Sequence, residues 1–340
     1  MKKLGLFNKG IFFFNSIAAA MLLLSYFLPF LPPKTFSVLS VLGLAVPFLI
    51  ILNALFFLYW LLKVKKQLLL SLLVLLIGYN YVGSLYKFSS SKNVENQNNV
   101  SVMTFNVRLF NVYHWIKDNN LASATAKFID DQDPDILSLQ EYHPHSGVNL
   151  DGYPFKFEKL AGKKIKYGQA IFSKYPIVNS GSINFPNTAN NAIFIDIVKN
   201  TDTLRIYNLH LQSLSIDPNV ELNKKEPERL MKRIGKSFGM QQDQAALFLA
   251  HKKECPYRLI VTGDFNNTAY SYVYKKIKGD RLQDAFEMAG NGFGKTFNFK
   301  FFPVRIDFIL VDAGLEVNAF KTFEDKLSDH FPIMAKFRWE

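Results

Sequence analysis

Residues 259–267, which read LIVTGDFNN, place a carboxylate and an amide directly after a short apolar run. The run is mostly β-branched, which is typical of a buried strand, and Gly263 then frees the backbone. Asp264 and Asn266 are two positions apart, so at the mouth of a strand they project to the same side. The carboxylate can hold a water or a metal ion, and the amide can donate an N–H to a developing negative charge. The same residues also fit a strand followed by an Asx-type turn, so the motif is weak by itself.

Other apolar runs of the chain also end or begin in polar residues that a packed core does not need. These residues are Asn106, Glu141, His210, Asp307, Asp329 and His330. Together with Asp264 and Asn266 they supply four carboxylates, two amides and two imidazoles. If these strand ends meet, the oxygen-rich and sulfur-free set suits a hard cation such as Mg²⁺ or Mn²⁺ better than zinc.

The charge of such a cluster indicates its chemistry. Carboxylates gathered in one pocket repel each other, so the charge balance requires a divalent cation. A divalent cation in turn indicates phosphate chemistry, in which the metal offsets charge on the transferring group. The residues therefore predict metal-dependent phosphate chemistry.

A domain at residues 100–340 must position these side chains. Strand-like apolar runs occur at 100–107, 135–139, 168–172, 192–198, 204–209, 259–261, 306–311 and 333–337. Helical spacing is clearest at 122–131 and 226–252. Short strands interleaved with a few helices, several of them hairpin-like neighbours, predict an α+β fold around two packed sheets.

Seven motifs in this domain resemble those of the endonuclease/exonuclease/phosphatase superfamily, in that family's order. They read FNVRLF, DILSLQE, GQAIFSKYPI, YNLHLQ, VTGDFN, RIDFIL and SDHFPI. Single motifs of this kind are weak, but seven in order along one domain are strong. The resemblance covers most of residues 100–340 and implies a deoxyribonuclease-I-like, four-layer sandwich of two packed mixed β-sheets flanked by helices.

The resemblance also implies roles for the residues around the metal and the attacking water. Asn106 and Glu141 resemble the metal-holding pair, with Glu141 the direct ligand, and Asp329 resembles a further metal-side carboxylate. Asp264 resembles the residue that orients or deprotonates the attacking water. Asn266 resembles the amide that steadies the phosphoryl oxygens.

Two imidazoles complete the implied site. His210 and His330 resemble the pair that flanks the scissile phosphate, and Asp307 resembles the carboxylate that fixes and charges His330. The physical chemistry agrees, because a neighbouring carboxylate keeps an imidazole protonated near neutral pH, where it can donate to a phosphate oxygen. Water would then attack in line with the departing oxygen.

The net charge of +12 suggests a nucleic-acid partner until the charges are located. Nine basic residues and no acidic residue lie between Met1 and Lys92, which leaves +3 for residues 93–340. The basic character therefore belongs mostly to the N-terminal part and says little about the partner of the domain. The single cysteine, Cys255, excludes an intrachain disulfide.

The N-terminal part predicts three transmembrane helices. The runs 11–31, 35–62 and 67–86 contain no charged residue, and each is long enough as a helix to cross about 30 Å of hydrocarbon. A cleavable signal peptide fits poorly, because no clear cleavage site follows the first run and two further runs come after it. We therefore expect residues 1–86 to be a membrane anchor in contact with the bilayer through 11–86. Residues 87–99 are polar and are expected to form a tether.

Basic residues predict the orientation of the anchor. Lys2 and Lys3, together with the cluster at 63–66, should stay on the cytoplasmic side. The expectation is a multi-pass protein of the cell membrane with an extracytoplasmic C-terminal domain. No Asp, Glu, Lys, Arg or His lies inside a span, so nothing indicates a transport pathway.

The predicted function is a membrane-anchored, divalent-metal-dependent phosphodiesterase with endonuclease-like chemistry and nucleic acid as the nominal substrate. A sphingomyelinase-like hydrolase of lipid or inositol phosphoesters is the alternative. In that case the phenylalanines between Gly292 and Pro303 would dip into lipid, whereas ordinary core packing also accounts for them. A non-catalytic binding module fits less well, since it has no reason to keep six polar strand ends. The sequence predicts no protein partner.

Overall fold

The computed structural model describes residues 4–88, 92–118, 120–163, 165–214 and 227–340. The N-terminal part is helical: α1 Leu6–Ser25, α2 Ser37–Val41, α3 Val46–Leu62, α4 Leu68–Ile77 and α5 Tyr79–Leu85. Four helices follow, α6 Leu121–Gln132, α7 Pro227–Lys253, α8 Tyr272–Lys278 and α9 Ala285–Ala289. Short 3₁₀ turns lie at Leu28–Phe30, Leu42–Ala45 and Arg108–Asn111.

Twelve of the strands form two six-stranded sheets. Sheet I has the order β13 Glu316–Thr322, β14 Ile333–Arg338, β2 Asn99–Asn106, β3 Ile136–Tyr142, β5 Tyr167–Ser173, β4 Phe155–Ala161. Sheet II has the order β10 Leu282–Asp284, β12 Asp307–Asp312, β9 Arg258–Asp264, β8 Asp202–His210, β7 Asn191–Lys199, β6 Ile177–Asn184. A separate pair joins β1 Tyr86–Lys87 to β11 Gly292–Phe293.

The two sheets pack face to face over an aliphatic core. Ile136 of sheet I and Ile206 and Ile260 of sheet II are fully buried in the same cluster. Helix α6 covers the outer face of sheet I, and α7 and α8 cover the outer face of sheet II. The central strands are apolar on both faces because both faces are covered. The expectation of two packed mixed sheets with flanking helices is confirmed.

Of the three runs predicted to span a membrane, the first two form helices that could do so, and the third differs. Residues 6–30 and 37–62 form helices long and apolar enough to cross a membrane. The third run consists of α4 and α5, which meet at an angle of 80°. Helix α4 has 10 residues and is therefore about 15 Å long, half the hydrocarbon thickness. This run is a third span only if the bent pair crosses as one unit.

The bend has a local cause at Gly78. The Tyr26 hydroxyl donates to the carbonyl oxygen of Val74 at 2.9 Å, which satisfies a group at the end of α4. A Cβ on Gly78 would lie 2.0 Å from the same hydroxyl oxygen, so no larger residue fits there. The Gly78 N–H also donates to the Val74 oxygen at 3.0 Å, so the hydrogen bonds of α4 continue up to the glycine at which the bend begins.

Buried polar side chains join the three N-terminal runs. Asn15 donates to Ser71 at 2.7 Å and accepts from Trp60 Nε1 at 2.9 Å. Asn53 donates to the carbonyl oxygen of Ala18 at 3.2 Å. Small and amide side chains of this kind hold apolar helices together where lipid offers no competing partner.

The N-terminal part also contacts the domain directly. The Thr268 hydroxyl donates to the carbonyl oxygen of Gly43 at 3.1 Å. Lys34 forms an ion pair with Asp243 of α7 at 2.6 Å. The Tyr270 hydroxyl donates to the carbonyl oxygen of Tyr81 at 3.1 Å.

The expected tether at 87–99 is held at both ends. Lys87 pairs with Gly292 through β1 and β11. Lys92 and Val94 donate backbone hydrogen bonds to Ala289 and Asn318, and Asn99 begins β2. Residues 89–91 lie outside the described part of the chain.

Candidate active site

Strand direction brings the polar strand ends to one edge of the two sheets. The pairs β2–β3 and β8–β9 are parallel, so their carboxyl ends lie side by side. The strands β12 and β14 run antiparallel to β9 and β2, so their starts lie at that same edge. Within the ladders, Asp264 pairs with His210 on one side and with Asp307 on the other.

One carboxylate oxygen, Oδ2 of Asp264, lies at the centre of this edge. Asn106 Nδ2 donates to it at 3.1 Å and Asn266 Nδ2 at 3.2 Å. The Nε2 atoms of His210 and His330 both lie 3.8 Å from it. Asp264 is only 1% exposed, and burial, followed by the charge of Asp307, raises its pKa to about 6 against the opposing charge of His330.

Gly263 allows the backbone to present Asp264. Its φ is +130°, and an added Cβ would lie 1.9 Å from the carbonyl oxygen of Leu209 on the neighbouring strand. Beyond it, the Asn266 backbone N–H donates to Asp264 Oδ1 at 2.8 Å, which is the Asx turn that the sequence also allowed. Asn266 has a φ of +49°, a strained value of the kind that clusters at functional sites.

The side chain of Asn266 holds Asp264 rather than pointing a free donor at a substrate. Its Nδ2 donates to Leu211 O at 3.0 Å and to Asp264 Oδ2 at 3.2 Å. An amide nitrogen has two hydrogens, and both are used in these bonds. In this arrangement Asn266 positions the carboxylate.

His330 and Asp307 form a buried ion pair. The two oxygens of Asp307 lie 3.1 and 3.0 Å from His330 Nδ1. Burial lowers the pKa of His330, but the charges of Asp307 and Asp264 outweigh it and raise that pKa to about 10. The ring therefore carries both protons at neutral pH, with Nε2 directed toward Asp264. Phe297 packs against it with ring centroids 5.0 Å apart.

Glu141 and Asn106 lie on the other side of Asp264. Asn106 Nδ2 is 3.4 Å from Glu141 Oε1 as well as 3.1 Å from Asp264 Oδ2. Glu141 has a φ of +48° and sits where the β3–β5 register shifts, so a bulge aims its side chain out of the strand. Burial raises its pKa, and the charge of His330 opposes this rise.

His210 is partly buried, with 13% of its side chain exposed, and has an unused, buried ring nitrogen. Its Nε2 has no hydrogen-bond partner among the described residues and lies 3.9 Å from Glu141 Oε1. Burial is the main reason that its pKa is lowered, so the ring is neutral at pH 7. An unpaired buried polar atom is costly unless a ligand completes it.

Asp329 has a partner that the sequence did not suggest. Its Oδ2 lies 2.9 Å from Arg108 Nη1, and the Arg108 guanidinium stacks 4.5 Å from the Trp115 ring. Asp329 remains close enough to Glu141 for its charge to raise the Glu141 pKa. Arg108 lies in the FNVRLF motif, but nothing in that motif indicates which carboxylate it meets.

The donor set fits a divalent cation near Glu141. Glu141 and Asp264 both have raised pKa values, and the orphaned Nε2 of His210 lies 3.9 Å from Glu141 Oε1 and 3.8 Å from Asp264 Oδ2. By distance alone Asp264, Asp307 and His330 also form a candidate group, with ligand atoms within 4.8 Å of one another. That group fits less well, because a metal ligand must be deprotonated and Asp307 keeps a proton on His330.

Two further polar residues, Gln140 and Gln241, support the site from below. Gln140 Nε2 donates to Asn208 Oδ1 at 2.5 Å and so joins the two sheets under the strand ends. Gln241 of α7 donates to the backbone oxygen of Asn266 at 3.1 Å and accepts from Asn267 at 2.8 Å. Sequence analysis did not identify Gln241, because a glutamine within a helical pattern carries no local signal.

Comparison with family models and curated proteins gives two matches and one negative result. The model described as the endonuclease/exonuclease/phosphatase family matches residues 103–330 and confirms the resemblance. A model described as a domain of unknown function (DUF8431) matches residues 8–85. No curated protein matches the chain.

Solved structures share the fold of the domain. An endonuclease/exonuclease/phosphatase from Bacteroides vulgatus is 21% identical, with a TM-score of 0.55, over 72% of this chain and 100% of that one. D. rerio TDP2 complexed with single strand DNA product is 18% identical, with a TM-score of 0.53, over 72% and 100%. A mannosyl-6-phosphatase from Bacteroides thetaiotaomicron is 18% identical, with a TM-score of 0.52, over 71% and 100%.

Proposed function

The chain belongs to the endonuclease/exonuclease/phosphatase family, and we propose that it hydrolyses phosphoester bonds with a divalent cation at a membrane surface. The observation that carries this proposal is the charged His330–Asp307 pair directed at Asp264 Oδ2, with Glu141 on the other side. A proton donor, a proton acceptor and a cation site within one edge are the parts that phosphoester hydrolysis needs.

Each side chain has a role that its surroundings support. Asp264, with a pKa of about 6, orients the attacking water and takes its proton. Charged His330 donates from Nε2 to a phosphate oxygen, and Asp307 holds the ring and its charge. His210 contributes its unpaired Nε2 on the opposite side of the phosphate. Asn266 keeps Asp264 in place through its two amide hydrogen bonds.

The cation would be held mainly by Glu141, with Asp264 and Asp329 nearby. Asn106 would join it through Oδ1, the oxygen that accepts from the Arg108 N–H at 3.1 Å. Mg²⁺ or Mn²⁺ is proposed because the donors are oxygens. Bound there, the ion supplies positive charge that offsets the negative charge on the phosphoryl group. Arg108 neutralises Asp329, which supports Glu141 rather than Asp329 as the main ligand.

Residues 1–86 are proposed as the membrane anchor, residues 87–99 as the link and residues 100–340 as the hydrolase domain. The basic cluster at 63–66 favours a cytoplasmic location for the C-terminal end of α3 and for the N-terminal end of α1. The hydrogen bond from Thr268 to Gly43 supports this orientation, because it puts the turn between α1 and α3 on the same side as the domain. The domain is then extracytoplasmic.

The test uses the full chain in detergent with bis-p-nitrophenyl phosphate. Hydrolysis is expected with Mg²⁺ and is expected to stop with EDTA. Asp264→Ala and His330→Ala should each abolish it, whereas Asp280→Ala, at an exposed position outside the site, should leave it unchanged. A wild-type chain that stays inert with Mg²⁺, Mn²⁺ and Ca²⁺ would instead support a non-catalytic binding module.

Two substrate classes remain. The D. rerio TDP2 complex contains a single strand DNA product, which supports nucleic acid. The contact of Phe302, in the loop before Asp307, with Phe48 of α3 favours a phospholipid, because it keeps this rim beside the anchor. Comparing plasmid DNA, sphingomyelin vesicles and inositol phosphates as substrates separates the two classes.

A further inference from the structure

A groove of about 1180 Å³ lies between the loop 291–303 and the outer face of β13 and β14. Residues of both strands, including Lys321 and Met334, form its floor. The site edge adjoins it, because the Asn298 N–H in the loop donates to the backbone oxygen of Asp329 at 2.8 Å. The proposed hydrolysis uses none of the side chains that line it.

The loop side of the groove is aromatic. Phe299 packs against Phe301 and Phe302, with ring centroids 5.4 and 4.8 Å apart. Phe301 is 65% exposed and Phe293 is 47% exposed, although both are large apolar side chains. Core packing therefore does not account for this loop, and exposed apolar groups of this size mark an interaction surface.

The other lining residues give the groove a strong positive charge. The charged residues are Lys92, Lys295, Lys300, Lys321, Lys326 and Lys336, with Glu324 the single carboxylate. Lys92 and Lys336 have carboxylate partners, Glu316 and Glu95. Among the described residues, the other four lysines have no carboxylate within ion-pair distance. Apolar and cationic walls together suit an anionic amphiphile.

The groove is continuous with the membrane helices. Phe302 contacts Phe48 with ring centroids 6.1 Å apart, and Phe48 is itself 47% exposed on α3. Phe48 lies in the first turn of α3, while Lys63 follows the far end of the same 17-residue helix, about 25 Å away. The loop is thus at the depth of the lipid headgroups on the domain side.

We propose that this groove binds an anionic phospholipid of the surrounding bilayer. The acyl chains contact the exposed phenylalanines of the loop, and the phosphate lies among the unpaired lysines, each of which attracts anionic lipid. A lipid in the groove would hold the loop in place, and with it Phe297, which packs against His330. The inference rests on the proposed membrane placement but not on hydrolysis.

Native mass spectrometry of the detergent-purified full chain tests the site. The chain is titrated with phosphatidylglycerol or with phosphatidylcholine, in EDTA so that no lipid is hydrolysed. We expect tighter retention of phosphatidylglycerol, and a loss of about tenfold or more in Lys300→Glu combined with Lys326→Glu. Phe301→Asp should also lower retention. All three side chains are exposed, so the fold tolerates the changes.

The matched control is Lys159→Glu, an exposed lysine at the opposite edge of sheet I, in β4, which should retain lipid like the wild type. Equal retention of the two lipids by the wild type would overturn the proposal. The proposal would also be overturned if the Lys300→Glu, Lys326→Glu variant retained as much lipid as the wild type, because the lipid would then be bound to the N-terminal helices and not in the groove. Neither result bears on bis-p-nitrophenyl phosphate hydrolysis, which tests the function separately.

Discussion

At the scale of single residues, the charge of His330 depends on one neighbour. Asp307 lies 3.0 Å from Nδ1 and is the largest of the effects that raise the His330 pKa to about 10. Burial lowers the His330 pKa, and without the Asp307 carboxylate only more distant charges, such as that of Asp264, would oppose this effect. The protonated ring that we assign as the donor to phosphate is therefore a property of the pair.

Asp307→Asn tests this dependence. The wild-type ring stays protonated below about pH 10, so activity that needs its proton is lost only as the pH rises through that value. In the variant the His330 pKa falls, so the alkaline limb of the kcat profile should move to lower pH. Near neutral pH, kcat should fall roughly 10²–10⁴-fold, the usual contribution of a positioned acid.

The control for this change is Asp312→Asn, at the far end of the same strand, where the carboxylate pairs with Arg281. It should leave the pH profile in place even if stability falls. An Asp307→Asn profile that overlays the wild type would remove His330 from the proposed proton transfer.

Glu141→Gln should weaken the response to divalent cations. The variant removes the negative charge of the proposed main ligand but keeps the shape of the side chain and tolerates the same backbone. Mg²⁺ should raise the melting temperature of the wild type, since a ligand of the native state stabilises it by mass action. That rise should shrink in Glu141→Gln, and the Mg²⁺ concentration for half-maximal activity should increase. Glu254→Gln, an exposed carboxylate, should behave like the wild type.

At the scale of elements, the ends of parallel strands form the site, and Gly263 at the end of β9 is the tightest point. An added methyl group would meet Leu209 O at 1.9 Å, and the backbone has a φ of +130°. Gly263→Ala should therefore lower the free energy of unfolding by about 2–4 kcal/mol through strain and displaced strands. Chemical denaturation measures this, and Gly152→Ala, where the space is open, should change it by less than about 0.5 kcal/mol.

The strands that the sequence predicts and those that it misses differ in position. All eight predicted strand runs correspond to interior strands of the two sheets. The four strands of these sheets that were missed, β4, β6, β10 and β13, are the four edges, and the separate pair β1 and β11 was also missed. Interior strands are buried on both faces and read as apolar runs, whereas β4 and β6 are largely half-exposed and polar. Edge strands form because a neighbour pairs with them, which no local pattern records.

At the scale of the whole molecule, the N-terminal helical part contacts the rim of the candidate site. Thr268 lies two residues after Asn266, and its hydroxyl donates to Gly43 O. Gln241, which contacts the Asn266 backbone, precedes Gln242 and Asp243, which bind Lys34. The loop that presents Asp264 is thus bounded by contacts with the N-terminal part.

Thr268→Val should destabilise the full chain by about 1–3 kcal/mol, because the buried Gly43 carbonyl loses its donor. A fall in melting temperature of a few degrees is expected for a protein of this size. The activity should fall with it, since the 264–268 loop loses one support. The control is Thr203→Val, in β8 and remote from the N-terminal helices, which should change neither the melting temperature nor the activity. Unchanged melting and activity in Thr268→Val would mean that the anchor and the site are independent.

The orientation of the chain can be tested with reporter fusions. Alkaline phosphatase fused after Glu340 should be active, and a green fluorescent protein fused there should be dark. The Lys63–Lys66 cluster keeps its loop in the cytoplasm, so the domain that follows the third apolar run lies on the other side of the membrane. Fusions after Lys66 should give the opposite pair of results. A fluorescent fusion after Glu340 would reverse the proposed topology.

The sequence by itself determined which side chains leave water and which chemistry they could share. Apolar runs identified the interior strands and two membrane-length helices, and the polar residues at their ends predicted the candidate site. Only the tertiary structure decided the pairs: Asp329 with Arg108, both amide hydrogens of Asn266 with its neighbours, and Tyr26 with the helix end at Gly78. Burial follows from local periodicity, whereas a contact depends on residues far apart in the chain, which meet only when the sheets and helices pack.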